Sequence, residues 1–136
     1  MPPLTPAGPD AGLTISEAAD VLGTTVDTIR YYEKEGIAPA PGRGPSGWRR
    51  YDASSVSWLA GVLMLRGTGM NIQQMREYAA AYQAGASAED RLALLEQHHE
   101  AVLARLAEVH VHLGALERKI SAYREAIHTG NQVPSP

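Results

Sequence analysis

Cysteine and phenylalanine are both absent from this 136-residue chain. Without cysteine, disulfides, thiolate metal sites and thiol redox switches are excluded together. Without phenylalanine, the 44% of the chain that is hydrophobic must build its core from Leu, Val, Ile, Ala, Met, Tyr and Trp. No run approaches the roughly 18 apolar residues of a membrane span, and the first dozen residues lack the basic start and apolar stretch of a leader. A soluble, cytoplasmic protein without a membrane partner is the expectation. Also missing are a nucleophile with a spaced base, a phosphate-binding loop and a paired carboxylate site. No enzyme is expected, and no metal or cofactor. The length suffices for one small domain with an extension, not for two full cores.

Positive charge is in short supply overall, with a formal net charge of −3, but it is unevenly spread. From Arg30 to Tyr51 the chain carries Arg30, Lys34, Arg43, Arg49 and Arg50 against Glu33 and Glu35. Screening limits each charge to a reach of about 8–10 Å. A local basic patch therefore suffices for phosphate contacts, while the acidic remainder weakens non-specific binding.

Residues 1–12, with four prolines and two glycines, read as a tail. A short helix is expected from about Ser16 to Leu22, with Ser16 as N-cap and Gly23 as its stop. Thr25 caps a second, about Val26 to Lys34, ending at Gly36 in a left-handed stop. Two short helices joined by a tight, Gly-containing turn spell helix-turn-helix. Between Ile37 and Tyr51 lie three prolines and three glycines, which exclude a helix. There Ile37–Ala40 and Trp48–Tyr51 are expected to pair as a hairpin around a Gly-rich tip. Asp52 caps a third helix to about Arg66, and Asn71 a fourth to about Gln83. The three methionines Met64, Met70 and Met75 read as core filler.

The C-terminal part carries the strongest periodicity. After a cap at Ser87, the residues Leu92, Leu95, His99, Val102, Leu106, Val109, Leu113, Leu116, Ile120, Tyr123 and Ile127 recur at strict 3-4 spacing, and all but His99 are apolar. This is a heptad repeat, and it predicts a coiled coil over residues 87–128. A helix of that span is about 60 Å long at 1.5 Å per residue. A domain of about 80 residues cannot cover such a stripe, so a second copy of the chain is the expected partner. His99 then occupies a seam position and sets register. His98, His112 and the remaining His110 and His128 read as solvated, with sensing of a metal or of acid by histidine as the alternative. His110 and His112, two residues apart, turn to different helix faces and make poor co-ligands.

Two segments carry the chemistry of binding. On the second helix, Asp27, Thr28, Arg30 and Tyr31 line one face with Thr25 at its start, while Val26 and Ile29 point inward. Small polar groups at the front of such a helix reach base edges in a major groove, and longer ones suit phosphates. By itself the pattern fits an amphipathic surface helix equally well. The segment Gly42-Arg-Gly-Pro-Ser-Gly-Trp-Arg-Arg-Tyr adds Arg43, Trp48, Arg49 and Arg50 on a loop without an acid, which suits phosphate or minor-groove contact.

Ile15-Ser-Glu-Ala-Ala, Thr28-Ile-Arg-Tyr-Tyr-Glu-Lys-Glu-Gly-Ile and Ser46-Gly-Trp-Arg-Arg-Tyr together resemble the signature of MerR-family transcription regulators. The resemblance covers Leu13 to Tyr78 in motif and reaches Ile127 in architecture. It implies that Thr25 to Glu33 form the recognition helix, with Arg30 and Tyr31 at DNA-contacting positions, and that Arg49 is the wing arginine that grips the backbone. Trp48 stands where the family usually has Tyr or Phe, and Arg50 where an apolar residue is common. The resemblance also implies an antiparallel pair of long helices. It implies binding to a pseudo-palindrome in an overlong promoter spacer, which is bent and untwisted so that RNA polymerase can use both promoter elements. The short, cysteine-free, single-domain type is the expectation, with an unidentified inducer.

Flanking charges alone leave the direction of that pair open. Arg91, His98, Arg105, His112 and Lys119 each precede a seam residue, and an antiparallel pair sets like against like. A parallel pair brings Arg91 near Glu96 and His112 near Glu117, but Lys119 near Arg124. Surface pairs contribute only a few tenths to about 1 kcal/mol, so direction rests on the resemblance.

The expected architecture is all-α: a winged helix-turn-helix domain at 13–83 and a dimerisation coiled coil at 87–128, with a tail at 129–136. The expected function is sequence-specific promoter binding that controls transcription on nucleoid DNA, with activation favoured. The rival readings are an architectural DNA-bending protein without an inducer and a coiled-coil interaction adaptor.

Overall fold

The structure, a computed structural model, describes residues 12–41, 50–130 and 132. The N-terminal tail up to residue 11, the wing tip with Arg43, Trp48 and Arg49, and nearly all of the chain after Gly130 lie outside the described residues. Five helices follow one another: α1 (Ile15–Leu22), α2 (Val26–Lys34), α3 (Ala53–Gly67), α4 (Ile72–Gln83) and α5 (Ala88–Thr129). Two compact units divide the chain, Met1–Leu94 and Leu95–Pro136.

Each helix starts where a short polar side chain satisfies an orphan N–H of the first turn. Thr14 Oγ1 accepts from Glu17 N–H at 3.1 Å, and the Glu17 carboxylate accepts from Thr14 N–H at 2.9 Å, a reciprocal box. The cap of α1 is therefore Thr14 and not Ser16. Thr14 has the extended backbone that a cap needs and a Glu three residues on, whereas Ser16 already lies inside the helix. Asn71 and Gln74 repeat the box on α4, at 2.8 and 3.1 Å. Asp52 opens α3 by accepting from Ser55 N–H at 2.8 Å, and Ser87 Oγ accepts from Asp90 N–H at 3.1 Å at the start of α5.

The expected hairpin is not what Tyr51 makes. Its N–H and C=O both pair with Leu13, at 2.8 Å each, in an isolated antiparallel bridge. Those groups point to one side of the chain, so none is left for Ile37–Ala40. Among the described residues there is no longer strand, and Ile37 and Ala38 instead donate their N–H groups to the carbonyl of Tyr32 at 2.9 and 3.1 Å. Gly12 makes the bridge with Leu13 possible. A Cβ there would sit 3.0 Å from the Tyr51 carbonyl oxygen, at a φ of +110°.

In the N-terminal unit α1 packs on α2 and α3, its Ala18 and Ala19 both buried and small enough for close approach. Ile29 and Tyr32 come from α2, Val56, Leu59, Val62 and Leu65 from α3, and Met70, Met75 and Ala79 from the α3–α4 turn and α4. Met64 departs from its assignment to the core and is exposed. It lies two residues past Val62, roughly 200° around the helix from the buried face. Trp58 joins α3 to α4 through ring contacts with Tyr78 and Tyr82, at centroid distances of 5.7 and 4.6 Å. The Arg91 guanidinium, from the first turn of α5, lies 5.1 Å over Tyr82.

Two caps carry charge that matters for pH. The Asp52 carboxyl is held below its ordinary 3.8 mainly by the Ser55 N–H, then by the Ser55 side chain, against the cost of partial burial. A lowered carboxyl stabilises the fold fully above its ordinary value and loses that contribution as pH falls through the lowered one. Asp52→Ala is expected to cost about 1 kcal/mol near neutral pH, and the gap from wild type should close below pH 3.8. Urea unfolding of both proteins along an acid titration checks this; a gap that stays constant would show that the cap does not act through its charge.

Candidate nucleic-acid interface

Helix α2 begins at Thr25, whose Oγ1 accepts from Thr28 N–H at 3.1 Å and lies 2.9 Å from the Thr28 hydroxyl. The first turn thus presents two linked hydroxyls at the positive end of the helix dipole, with the exposed Asp27 beside them. Ile29 and Tyr32 bury the opposite face at 1% and 2% exposure. Arg30 and Tyr31 are exposed, while Thr28 is half-buried. At the far end Gly36 takes a φ of +75°, the left-handed stop read from the sequence.

Three long-range ties hold the back of α2 and the turn that follows it. The Tyr51 hydroxyl donates to Glu33 Oε2 at 2.6 Å. Arg76 of α4 forms an ion pair with Glu35, at the C-cap of α2. Trp58 Nε1–H donates to the Ile37 carbonyl at 2.9 Å. These contacts join residues 18 to 41 positions apart, and no local pattern announces them. Glu33 and Glu35 are therefore more than charges set against the basic residues of the segment; they are the sockets that orient the helix.

A groove of about 520 Å³ runs beside α2. Asp27, Thr28 and Tyr31 form one wall, Arg66, Met70 and Ile72 the other, and the buried Tyr32 and Met75 the floor. Arg66 was missed by sequence reasoning; its only local signal is a basic residue in the last turn of α3. The groove brings its guanidinium to the same concavity as two hydroxyl-bearing residues of α2.

Of the other sequence-derived contact residues, Arg43, Trp48 and Arg49 lie outside the described residues. Arg50 is half-buried, with Nε covered and without a hydrogen-bond partner. It sits near enough to α1 for its charge to help hold the Glu17 carboxyl below its ordinary value, after the larger effects of the Thr14 N–H and hydroxyl. Along α5, Leu92, Leu106, Val109, Leu113, Leu116 and Ile120 are each 41–60% exposed, and Leu95, Val102 and Tyr123 are half-buried. Among the described residues no cluster of three metal-ligating side chains occurs, and no helix is long and apolar enough to cross a membrane.

A helix-turn-helix whose second helix is anchored from behind and presents hydroxyls, a guanidinium and a phenol on its open face defines a DNA-binding domain of the winged helix-turn-helix class. The profile of the MerR HTH family regulatory protein matches residues 13–82. A helix-turn-helix transcriptional regulator of Haemophilus influenzae, itself uncharacterised, is 33% identical over 119 residues, covering 87% of this chain and 88% of its own. The solved structure of HiNmlR, a MerR family regulator lacking the sensor domain and bound to promoter DNA, is similar with a TM-score of 0.75 at 32% identity. That likeness covers 87% of this chain and 94% of HiNmlR. A MerR family regulator from Bacillus thuringiensis gives a TM-score of 0.72 at 30% identity, over 82% of this chain and 98% of its own. The chain belongs to the MerR family: it is a DNA-binding transcriptional regulator with a long C-terminal helix, and not an enzyme.

The tie from Tyr51 to Glu33 should be measurable. Tyr51→Phe keeps the buried ring and removes the hydroxyl, and is expected to cost about 1–2 kcal/mol as a hydrogen bond to a charged acceptor is lost. Denaturant midpoints measured together with affinity for the best-bound genomic fragment check this. Unchanged values in both would show that α2 is held without this contact.

Proposed function

We propose that the protein binds a promoter spacer as a homodimer and distorts it, so that RNA polymerase can initiate there, with activation as the outcome. What carries the reading is the open face of α2: Asp27, Arg30 and Tyr31 exposed on a helix whose opposite face is buried and which is tied at Glu33, at its C-cap Glu35 and at Ile37 in the turn beyond. A surface helix with no task needs no such fixing.

In this reading residues 13–83 form the DNA-binding domain. Thr25, Asp27 and Thr28 enter the major groove and read base edges, while Arg30 and Tyr31 reach the flanking phosphates. Arg43, Trp48, Arg49 and Arg50 supply the wing, with Arg49 on the backbone. Arg66 faces the same groove as Tyr31 and adds a phosphate contact from the opposite wall.

Residues 87–128 form the dimerisation helix. Its stripe leaves Leu92, Leu106, Val109, Leu113, Leu116 and Ile120 41–60% exposed, and a heptad row of this kind is covered by a second copy. Two domains on one seam bring two recognition helices to a two-fold-symmetric site, which fits a pseudo-palindrome. Bending a spacer by 40–90° costs on the order of 1–6 kcal/mol, which contacts to both half-sites offset. The likeness to HiNmlR, solved with promoter DNA and without a sensor domain, supports this reading and leaves any inducer to be found. The site of action is DNA in the cytoplasm.

Arg49→Ala and Arg66→Ala are each expected to weaken binding to every sequence alike and to reduce the slope of log affinity on log salt by about 1. Salt titrations on a bound genomic fragment measure it, and an unchanged slope removes that arginine from the phosphate contacts. Leu106→Lys combined with Leu113→Lys should give a monomer in sedimentation and abolish activation in reconstituted transcription. A dimer surviving both substitutions would place the interface elsewhere.

A further inference from the structure

The stripe on α5 has one polar member, and it is a titratable one. His99 occupies the position that Leu92, Leu106, Leu113 and Ile120 occupy in the other heptads. In the single chain its imidazole is open to solvent, with Nδ1 4.0 Å from Glu100 Oε1 and the two side chains 68% and 79% exposed. Resting on the homodimer reading above, we infer that His99 makes the dimer seam acid-labile, so that the protein releases its partner, and with it DNA, as pH falls.

The inference does not depend on how the two helices are registered. When they run in opposite directions, the two classes of stripe position alternate across the seam. Each heptad-matched register that overlaps most of the helix then sets His99 against Val102, Val109, Leu116 or Tyr123 of the second copy. All four present aliphatic or aromatic groups, and none has a charge to offer a protonated ring. When the helices run in the same direction, His99 meets His99 of the second copy, and two imidazolium groups repel. In either case seam formation takes the ring out of water, and the charged form is the one disfavoured.

The neighbours do not reverse the sign. On the same helix the Glu100 carboxylate lies 4.0 Å from the ring, but in high solvent exposure, where such pairs contribute little. Beside the facing positions of the second copy stand Arg105, His110, His112, Glu117, Lys119 and Arg124. Glu117 alone among these is acidic. In the antiparallel pair the flank that holds His98 and His112 also holds Arg91, Arg105 and Lys119, so protonation there adds repulsion in the same direction.

The sign then follows from linkage. The dimer binds fewer protons at His99 than two monomers do, so dimerisation weakens as pH drops through the range where imidazole titrates. That range lies above the values of 4.5 and 3.8 below which the caps at Glu17 and Asp52 are held. The N-terminal fold therefore stays capped while the seam loosens.

The test is sedimentation equilibrium of the full chain at about pH 7.5 and about pH 5.5, with helicity recorded on the same samples. The wild-type dimer constant is expected to weaken about tenfold or more on acidification. His99→Leu should give a tighter dimer with little pH dependence. His99→Gln, which keeps a polar seam group without a titrating one, should match wild type at the higher pH and stay level at the lower. A wild-type constant that does not move with pH overturns the inference while leaving the homodimer intact. A pH effect that persists in both variants also overturns it and assigns the effect to the flank. A monomer at both pH values sinks the homodimer reading and this inference together.

Discussion

The phenol of Tyr51 donates to Glu33 while the backbone of the same residue pairs with Leu13 on both sides, and the geometry of the DNA-binding domain depends on that one buried residue. It sits at 1% exposure where the wing segment returns to the helical core. From there it links three pieces of chain that are remote in sequence: the entry to α1, the C-terminal half of α2 and the start of α3. Arg49 and Arg50 immediately precede it. Any force that positions Tyr51 therefore also bears on Arg50 beside it and on the C-terminal half of α2.

The absence of phenylalanine sharpens this dependence. An aromatic group buried in this core is a Tyr or a Trp, and each brings a polar atom whose desolvation has to be offset by a hydrogen bond. Tyr51 meets that need at Glu33, and Trp58 meets it at the Ile37 carbonyl. Phenylalanine at position 51 would fill the space as well and orient nothing. The same requirement that makes these residues costly to bury turns them into fixed struts behind α2. On the reading proposed above, a helix that reads DNA gains from such struts, because base-edge contacts tolerate little angular freedom.

The two parts of the chain hold together by different physics. The N-terminal unit is closed: its apolar side chains from α1 to α4 and the turns between them cover one another, and its helices start at capped ends. The long helix is open, with a row of aliphatic side chains left in water and a single imidazole among them. Stability in the first part is a property of one chain. In the second, on the reading proposed above, it is a property of two, and so it depends on concentration and on the protonation of a seam residue.

Much of this was legible from residue order because it rests on interactions three or four residues apart. Caps at Thr25, Asp52 and Asn71, the stop at Gly36 and the 3-4 row from Leu92 to Ile127 are local rules, and the structure places the helices within a residue or two of them. The signature segments around Arg30 and Tyr31 identified the family for a similar reason: they are short and contiguous. Local rules also misled at the first helix, where Ser16 was expected as the cap and Thr14, with Glu17 three residues beyond it, takes that place. What the order of residues did not reveal is who meets whom across 18 to 41 positions: Tyr51 with Glu33, Trp58 with the Ile37 carbonyl, Arg76 with Glu35. Nor did it reveal that Tyr51 pairs with Leu13 instead of Ile37–Ala40, or that Arg66 shares a groove with Tyr31. Periodicity determines which face of an element is apolar, but the pairing of faces is settled only when all of them compete for the same core. The sequence by itself determined the elements and the kind of protein. The tertiary structure alone decided how α2 is held.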